Sequence, residues 1–364
     1  MTTLFLGGDV MTGRGIDQVL RHPSDPVLYE SYARDARVYV ALAEEKNGAI
    51  PAPVGDSYIW GAALAELERA APDARIVNLE TSVTRCDDAW PDKGIHYRMH
   101  PDNVGCLVAA GIDCCVLANN HVLDWGFAGL EATLATLQRA GLRTAGAGRH
   151  AEEAAAPAII DRGERGRVLV FAIGSESSGI PRRWRAREGQ PGVSVVPVLD
   201  GNAARQLAAA IGAHRRPNDV VVVSAHWGGN YGYEVPRQQR DFARTLIDSA
   251  LVDVVHGHSS HHPKGLELYR GRLILYGCGD LLNDYEGISG HESYRGDLAL
   301  MYFPTLDPAG GLVALRMVPL RIRKLTLERA ARADAAWLKG TLERESLLDR
   351  SLELDADDAL RFAP

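Results

Sequence analysis

Residues 252–263 read VDVVHGHSSHHP, so a short apolar run ends in four histidines within seven residues. An apolar run of this length without polar alternation predicts a strand that is covered on both faces. Similar runs rich in Val, Ile and Leu occur at 3–7, 75–79, 113–117, 168–173 and 220–225. We therefore expect a sheet of buried strands, several of which end in metal-competent side chains.

Helical patterns separate many of these runs. They lie at residues 27–45, 60–70, 103–110, 130–140, 203–213 and 237–250. Alternation of strand and helix predicts an α/β layered fold. From residue 265 the runs follow one another, at 266–269, 272–276, 298–303 and 312–320, which favours antiparallel hairpins. We predict one domain over residues 1–325 and a C-terminal helical appendage over 326–364.

Composition excludes several classes of protein. The chain has 364 residues, 46% of them hydrophobic and 24% charged, which excludes a disordered or collagen-like chain. Its net charge of -7 argues against a general nucleic-acid surface. No apolar run approaches the roughly 20 residues that span a bilayer, and residues 1–9 lack a signal-peptide pattern. Five scattered cysteines argue against a disulfide framework, so we expect a cytoplasmic protein that binds neither nucleic acid nor membrane.

Polar residues follow the apolar runs. They are Asp9, Asn78, Glu80, Asn119, Asn120, His121, Asp124, His226, His256, His258, His261, His262, Asp280 and Asp284. Because the carboxyl ends of parallel strands meet in one crevice, these groups are expected to converge there. Singly, each has another explanation: Asp9 could cap a helix, Asn119 and Asn120 could form a turn, and His226 could be a core histidine. Their joint occurrence favours a metal site.

Together the motifs resemble the calcineurin-like metallophosphoesterase superfamily and, within it, the CapA (poly-γ-glutamate biosynthesis) family. The matching stretches are GDVMTGRG (8–15), NLET (78–81), ANNHVLDWG (118–126), HWG (226–228) and GHSSH (257–261). The resemblance covers roughly residues 4–285. It implies an α/β/β/α sandwich with a metal site at the carboxyl ends of the strands.

The resemblance also implies roles for individual residues. The positions of the metal ligands correspond to Asp9, Glu80, Asn120, His226 and either His258 or His261, of which we assign His258. His121 falls on the histidine that acts as acid/base or oxyanion stabiliser, with Asp124 as its orienting carboxylate. We assign His261 and Asp284 to the catalytic set as a second imidazole and carboxylate, although Asp280 is an equally available partner.

Two departures from the family pattern affect the metal. The usual Asp-x-His is here Asp9-Val10-Met11, and the last motif has two residues between His258 and His261 instead of one. Methionine is a poor ligand for hard divalent ions, so the centre shifts towards oxygen donors. We expect Ca, Mn or Mg rather than Zn, and no organic cofactor. Two-metal phosphoester hydrolysis, which needs ions about 3.5–4 Å apart, is put in question.

Three functions are compatible with this pattern. CapA relatives are tied to peptides and polyglutamate more than to nucleotides, and one is a lasso-peptide epimerase that inverts a C-terminal tryptophan. The first hypothesis is therefore a metal-dependent peptide epimerase of lasso-peptide (RiPP) biosynthesis. Removal of an α-proton needs an electrophile and proton-transfer groups on both faces, which metal and imidazoles can supply. The alternatives are a metallohydrolase of phosphoesters or amides and a non-catalytic polyglutamate-assembly protein.

A few further residues are candidates for contact with a peptide substrate. Trp227 could stack on a substrate side chain or lie buried beneath the site. Tyr231 lies in the same loop, and Arg295 could hold a C-terminal carboxylate. The basic run at 182–187 could be a rim for an acidic peptide or a solvated loop. Residues 21–56 could form a lid or a peripheral helix. The sequence makes no prediction of the oligomeric state.

Overall fold

Two β-sheets form the centre of the fold in the computed structural model, which describes residues 1–364. The strands are β1 (Thr2–Val10), β2 (Ala74–Leu79), β3 (Ser82–Val83), β4 (Arg98–Met99), β5 (Cys114–Val116), β6 (Arg143–Ala145), β7 (Ala147–Gly148), β8 (Ala158–Asp161), β9 (Arg167–Ser175), β10 (Gly192–Val193), β11 (Val195–Val196), β12 (Val220–His226), β13 (Val254–His258), β14 (Leu266–Tyr269), β15 (Arg272–Leu275), β16 (Asp280–Leu282), β17 (Leu298–Leu306), β18 (Leu312–Arg323), β19 (Thr326–Arg329), β20 (Glu353–Leu354) and β21 (Leu360–Phe362). The α-helices are α1 (Arg14–Val19), α2 (Arg37–Asn47), α3 (Ala63–Ala70), α4 (Gly105–Ala109), α5 (Gly126–Arg139), α6 (Ala151–Ala155), α7 (Gly201–Gly212), α8 (Arg237–Asp248) and α9 (Arg332–Glu345).

The first sheet has ten strands, with β1 near its middle. On one side of β1 lie β2, β5 and β6, all parallel to it. On the other side the amino-terminal part of β1 pairs antiparallel with β17, whereas its carboxyl-terminal end pairs parallel with β16. The end of β1 therefore lies between two parallel strands, which brings three carboxyl ends together.

The second sheet has seven strands and a parallel centre. Strands β9, β12, β13 and β15 run parallel, and β14 and β8 add antiparallel edges. Strand β12 begins with four consecutive buried valines, as expected for a strand covered on both faces. Its last residue, His226, is the register partner of His258 at the end of β13.

The two sheets pack face to face, with helices on both outer faces. Alternate residues of β1 show this: Leu4 and Leu6 belong to the core that joins the sheets, whereas Phe5 faces the opposite way. The core on the far side of the second sheet contains Phe242 and Leu246 of α8. The predicted α/β/β/α sandwich is confirmed.

Two segments differ from a simple helix prediction. Of the stretch 27–45, only residues from 37 onward are helical, as part of α2 (Arg37–Asn47). Residues 26–36 form a loop instead, in which Leu28 N–H donates to the carbonyl of Arg34 and Ala36 N–H to that of Pro26. After residue 325 the chain forms α9 but also β19 and β21, which both pair with β18 of the first sheet. The domain boundary at 325 stays a prediction. None of the helices has both the length and the apolar character needed to cross a bilayer.

Candidate metal centre

Three buried donors meet where the two sheets present their strand ends. Asp9 lies at the end of β1, His226 at the end of β12 and His258 at the end of β13, and all three are at most 1% exposed. The Nδ1 atoms of His226 and His258 are 2.8 Å apart, and His258 Nδ1 lies 3.8 Å from Asp9 Oδ1. Each residue offers one ligand atom within 4.8 Å of the other two. The group could hold a metal ion.

Glu80 and Asn120 border the same group. Asn120 Oδ1 lies 3.0 Å from His226 Nε2, and Glu80 Oε1 lies 3.9 Å from that nitrogen. Asn78, two residues before Glu80, donates from Nδ2 to Asp9 Oδ1 at 2.7 Å and so orients this carboxylate. The five residues predicted as ligands are therefore brought together, and their roles as ligands remain a proposal.

A second donor group shares Asp9 with the first and contains His261 and Asp280. The Nδ1 atom of His261 is 2.9 Å from Asp280 Oδ1. Asp280 is the register partner of Asp9 on the neighbouring parallel strand β16. A Cβ atom on Gly8 would lie 1.8 Å from the Gly279 carbonyl oxygen, so only glycine permits this close approach. The sequence identified Asp280 as a possible partner of an imidazole but not as a ligand.

The pKa shifts of the donor residues favour the binding of a cation. Burial and the neighbouring Asp280 raise the pKa of Asp9 to about 7. Burial and the nearby Asp9 also hold the pKa of Glu80 well above its ordinary value. Burial keeps the pKa values of His226 and His258 well below the ordinary value, so both imidazoles are neutral and able to coordinate. Buried carboxylates beside neutral imidazoles lack positive charge, which a divalent ion would supply.

His258 is oriented by a chain of hydrogen bonds on the side away from Asp9. Its Nε2 lies 2.8 Å from the Ser224 hydroxyl oxygen, which lies 3.1 Å from His256 Nδ1. His256 Nε2 in turn lies 3.0 Å from the Gly7 carbonyl oxygen. Such partners fix the ring orientation of a coordinating imidazole.

His121 and Asp124 form the predicted pair beside the cluster. His121 Nδ1 is 2.7 Å from Asp124 Oδ2, and its Nε2 is 3.8 Å from Glu80 Oε1. Lys93, which belongs to none of the sequence motifs, lies 2.6 Å from Asp124 Oδ1. Burial would raise the pKa of Asp124, but Lys93 and His121 hold it below its ordinary value. Burial and Lys93 lower the pKa of His121 to about 4. No sequence signal distinguishes this lysine from a surface one.

The expected pairing of Asp284 with a catalytic imidazole is corrected by the structure. Its carboxylate is buried and binds Arg14, with Nη2 2.5 Å from Oδ1, and it accepts the Gly15 N–H at 2.9 Å. Arg14 also binds Glu30, at 2.9 Å. His261 has Asp280 as its partner instead. Asp284 therefore forms part of a buried ion-pair network beneath the cavity wall.

A cavity of about 550 Å³ adjoins the cluster. Its lining includes His261, Tyr97, Tyr285, Tyr231, Arg295, Lys46 and Tyr32. Two predicted substrate contacts, Tyr231 and Arg295, thus line the cavity, although Arg295 is already paired with Asp297 and Asp334. Lys46 and Tyr32 come from the 21–56 segment, which forms part of the wall.

Trp227 is not in this cavity lining, which corrects its expected contact with a substrate. Its side chain is 2% exposed and packs against Phe242 and Tyr276. The indole N–H donates to the Tyr276 carbonyl oxygen at 2.9 Å. The large apolar ring is therefore part of the core beneath the site.

The family model and the curated relatives of similar sequence agree on one family. The sequence model described as "Bacterial capsule synthesis protein PGA_cap" matches residues 3–285. A Mycobacterium tuberculosis protein named "Probable polyglutamine synthesis accessory protein" is 48% identical over 348 residues, covering 95% of this chain and 91% of that protein. The Bacillus subtilis "PGA biosynthesis protein CapA" is 28% identical over 265 residues, covering 72% of this chain and 64% of that protein. Among solved structures, the crystal structure of a 5'-nucleotidase precursor from Thermus thermophilus superposes with a TM-score of 0.47 at 15% identity. The match covers 93% of this chain and 57% of that chain.

Proposed function

Because the chain belongs to the PGA_cap family of bacterial capsule synthesis proteins, we propose that it is a metal-dependent accessory enzyme of glutamate- or glutamine-polymer synthesis. In this proposal it hydrolyses amide bonds of the polymer or of a related peptide. The observation that carries the proposal is the pair of buried donor groups that share Asp9.

The donor chemistry supports a divalent ion held by Asp9, His226 and His258, with Glu80 and Asn120 at hand. The second group would add His261 and Asp280. Mixed imidazole and carboxylate donors suit Mn²⁺ best among the three ions expected from the sequence. When bound, such ions polarise a carbonyl group and lower the pKa of a water molecule.

His121 is the residue that we assign to proton transfer. Its Nδ1 faces Asp124, so its Nε2 points towards the cluster, near Glu80. Burial keeps the ring neutral near pH 7, so Nε2 can take a proton from the water that attacks the amide carbon and deliver it to the amine that leaves as the C–N bond breaks. Asp124 would stabilise the imidazolium that forms in between.

The cavity is the assigned binding site for the polymer or peptide. It shares His261 with the second donor group, so a chain bound there would lie beside the cluster. Its aromatic residues Tyr97, Tyr231 and Tyr285 offer apolar surface and hydroxyl groups. The cytoplasmic location and the peptide nature of the substrate stay predictions.

A peptide epimerase is the second candidate, and a separate observation favours it. Two imidazoles each have a carboxylate partner, His121 with Asp124 and His261 with Asp280. Two oriented imidazoles could exchange an α-proton on opposite faces of a residue. The lasso-peptide substrate stays a prediction from the sequence.

One incubation separates the three functions. The Mn²⁺-loaded protein would be incubated in deuterated water with oligo-γ-glutamate, oligo-glutamine and a peptide ending in tryptophan, beside a chelated sample and the His121→Gln variant. Shortened chains in the loaded wild-type sample alone support the hydrolase. Deuterium at one α-carbon without cleavage overturns it in favour of the epimerase. Tight binding with neither change would leave a non-catalytic assembly protein.

A further inference from the structure

We propose that Tyr285 is a catalytic hydrogen-bond donor, whose hydroxyl group stabilises the substrate carbonyl oxygen while that oxygen becomes negatively charged. This step rests on the proposed function. When a water oxygen bonds to the amide carbon, the π electrons of the C=O bond move to the carbonyl oxygen, and a water proton passes to His121. A hydrogen-bond donor aimed at that oxygen lowers the barrier. Tyr97 is assigned as the residue that positions Tyr285.

The hydroxyl groups of Tyr97 and Tyr285 form a pair with one weakly bonded hydrogen. Their oxygen atoms are 2.9 Å apart. Two hydroxyl groups carry two hydrogens, and only one of these is needed between the oxygens. The other has the Sδ atom of Met11 as its acceptor, 3.6 Å from the Tyr285 oxygen, and a thioether is a weak acceptor. A substrate oxygen would therefore be the better partner for this hydrogen.

Tyr285 is the member of the pair that a substrate can reach. Both tyrosines line the cavity, but Tyr97 is 1% exposed whereas Tyr285 is only half-buried. The ring of Tyr285 lies 5.3 Å from the His261 ring, and the ring of Tyr97 lies 4.3 Å from the His121 ring, measured between centroids. The hydroxyl pair thus connects the imidazole assigned to proton transfer with that of the second donor group. A carbonyl group bound beside both imidazoles would meet the Tyr285 hydroxyl.

The surrounding residues fix the orientation of the pair. The Tyr285 backbone N–H donates to Asn283 Oδ1 at 3.0 Å, and Asn283 Nδ2 donates to Asp280 Oδ2 at 2.8 Å. The Arg14 guanidinium lies 4.6 Å from the centre of the Tyr97 ring and 5.7 Å from that of the Tyr285 ring. Tyr285 is therefore tied to the second donor group and held from its other side by a buried cation. A donor that is already oriented loses little free energy to reorganisation during the reaction.

Binding of a tetrahedral analogue tests the proposal without turnover. The probe is an oligo-γ-glutamate in which a phosphinate group replaces one amide bond, titrated into the Mn²⁺-loaded protein. We expect Tyr285→Phe to weaken its binding about 100-fold, as for the loss of one oxyanion donor. Tyr269→Phe is the matched control, because that hydroxyl group donates to Asp248 outside the cavity lining and should leave the affinity unchanged. Tyr285→Leu replaces Tyr285→Phe if the latter does not fold.

Kinetics on oligo-γ-glutamate provide the second readout. We expect kcat of Tyr285→Phe to fall about 100-fold, with KM within about twofold and the metal content unchanged. Tyr97→Phe, which keeps the donor but loses its partner, should lower kcat by about tenfold, less than Tyr285→Phe. A merely structural role would instead change the metal content or KM.

Two results would overturn the proposal: equal phosphinate affinity in the wild type and Tyr285→Phe, or no phosphinate binding by the wild type. If the wild type binds the phosphinate but cleaves nothing, the proposed function fails, while the comparison of the two affinities still decides the role of Tyr285.

Discussion

Asp9 and Asp280 are register partners on the parallel strands β1 and β16, and both contribute a carboxylate to the donor group that contains His261. Met11, which stands where the resembled superfamily pattern has a histidine, belongs to neither donor group. Asp280 brings His261 with it through a 2.9 Å contact. The second donor group is thus built from residues that are far from Asp9 in sequence.

Substitution of Asp280 should affect the metal content more than the fold. We expect Asp280→Ala to lower the bound Mn²⁺ by about half, because one of the two donor groups loses a ligand. Elemental analysis of the dialysed protein measures this. The control is Asp297→Ala, which removes a carboxylate that lines the cavity but belongs to neither donor group. An Asp280→Ala variant with full metal content would show that the second group binds no ion.

Substitution of Asp284 should affect the stability of the fold more than the metal content. Because its carboxylate is buried against Arg14, Asp284→Ala should lower the free energy of unfolding by about 3 kcal/mol. Its metal content per folded chain should match the wild type. Chemical denaturation and elemental analysis of the same preparation measure both. Loss of metal without loss of stability would return Asp284 to the catalytic set.

His121 should matter for turnover and little for metal binding. We expect His121→Gln to lower kcat by about 10²- to 10⁴-fold, the usual contribution of a general acid or base. The metal content should stay that of the wild type, since His121 belongs to neither donor group. The exposed His150 offers a control, because His150→Gln should retain full activity. Full activity in His121→Gln would remove this residue from the mechanism.

Stabilisation by metal should increase with pH. The pKa of Asp9 is raised to about 7, so in the metal-free protein its stabilising contribution is complete below about pH 4 and is lost as the pH rises through 7. A bound cation favours the ionised carboxylate and removes this loss. The rise in Tm on adding Mn²⁺ should therefore be larger at pH 8 than at pH 5.5. In Asp9→Asn the difference between the two pH values should shrink. Equal shifts in the wild type would contradict the account.

The strand ends were the predictable part of the site. Several buried runs stop at a polar residue, and the parallel strands place Asp9 at the end of one sheet and His226 and His258 at the facing end of the other. The layered fold followed from the same alternation of runs and helices. Local pattern and tertiary structure agree here because the strands are continuous and apolar.

Pairings across loops were the part that sequence could not supply. Which carboxylate meets His261 depends on the register of β16 against β1, and this is set by the close approach of Gly8 and Gly279. The contact of Lys93 with Asp124 depends on a loop held by tertiary packing. Similarly, the 27–36 stretch has apolar residues at helical spacing but forms backbone hydrogen bonds across a loop.

The central claim is that a divalent cation binds between Asp9, His226 and His258. A crystal structure of the Mn²⁺-loaded protein, with anomalous data collected at the manganese edge, tests it most directly. The account predicts an anomalous peak in contact with these three residues, and a second one beside His261 and Asp280. A fully loaded crystal with no peak at Asp9 would contradict it.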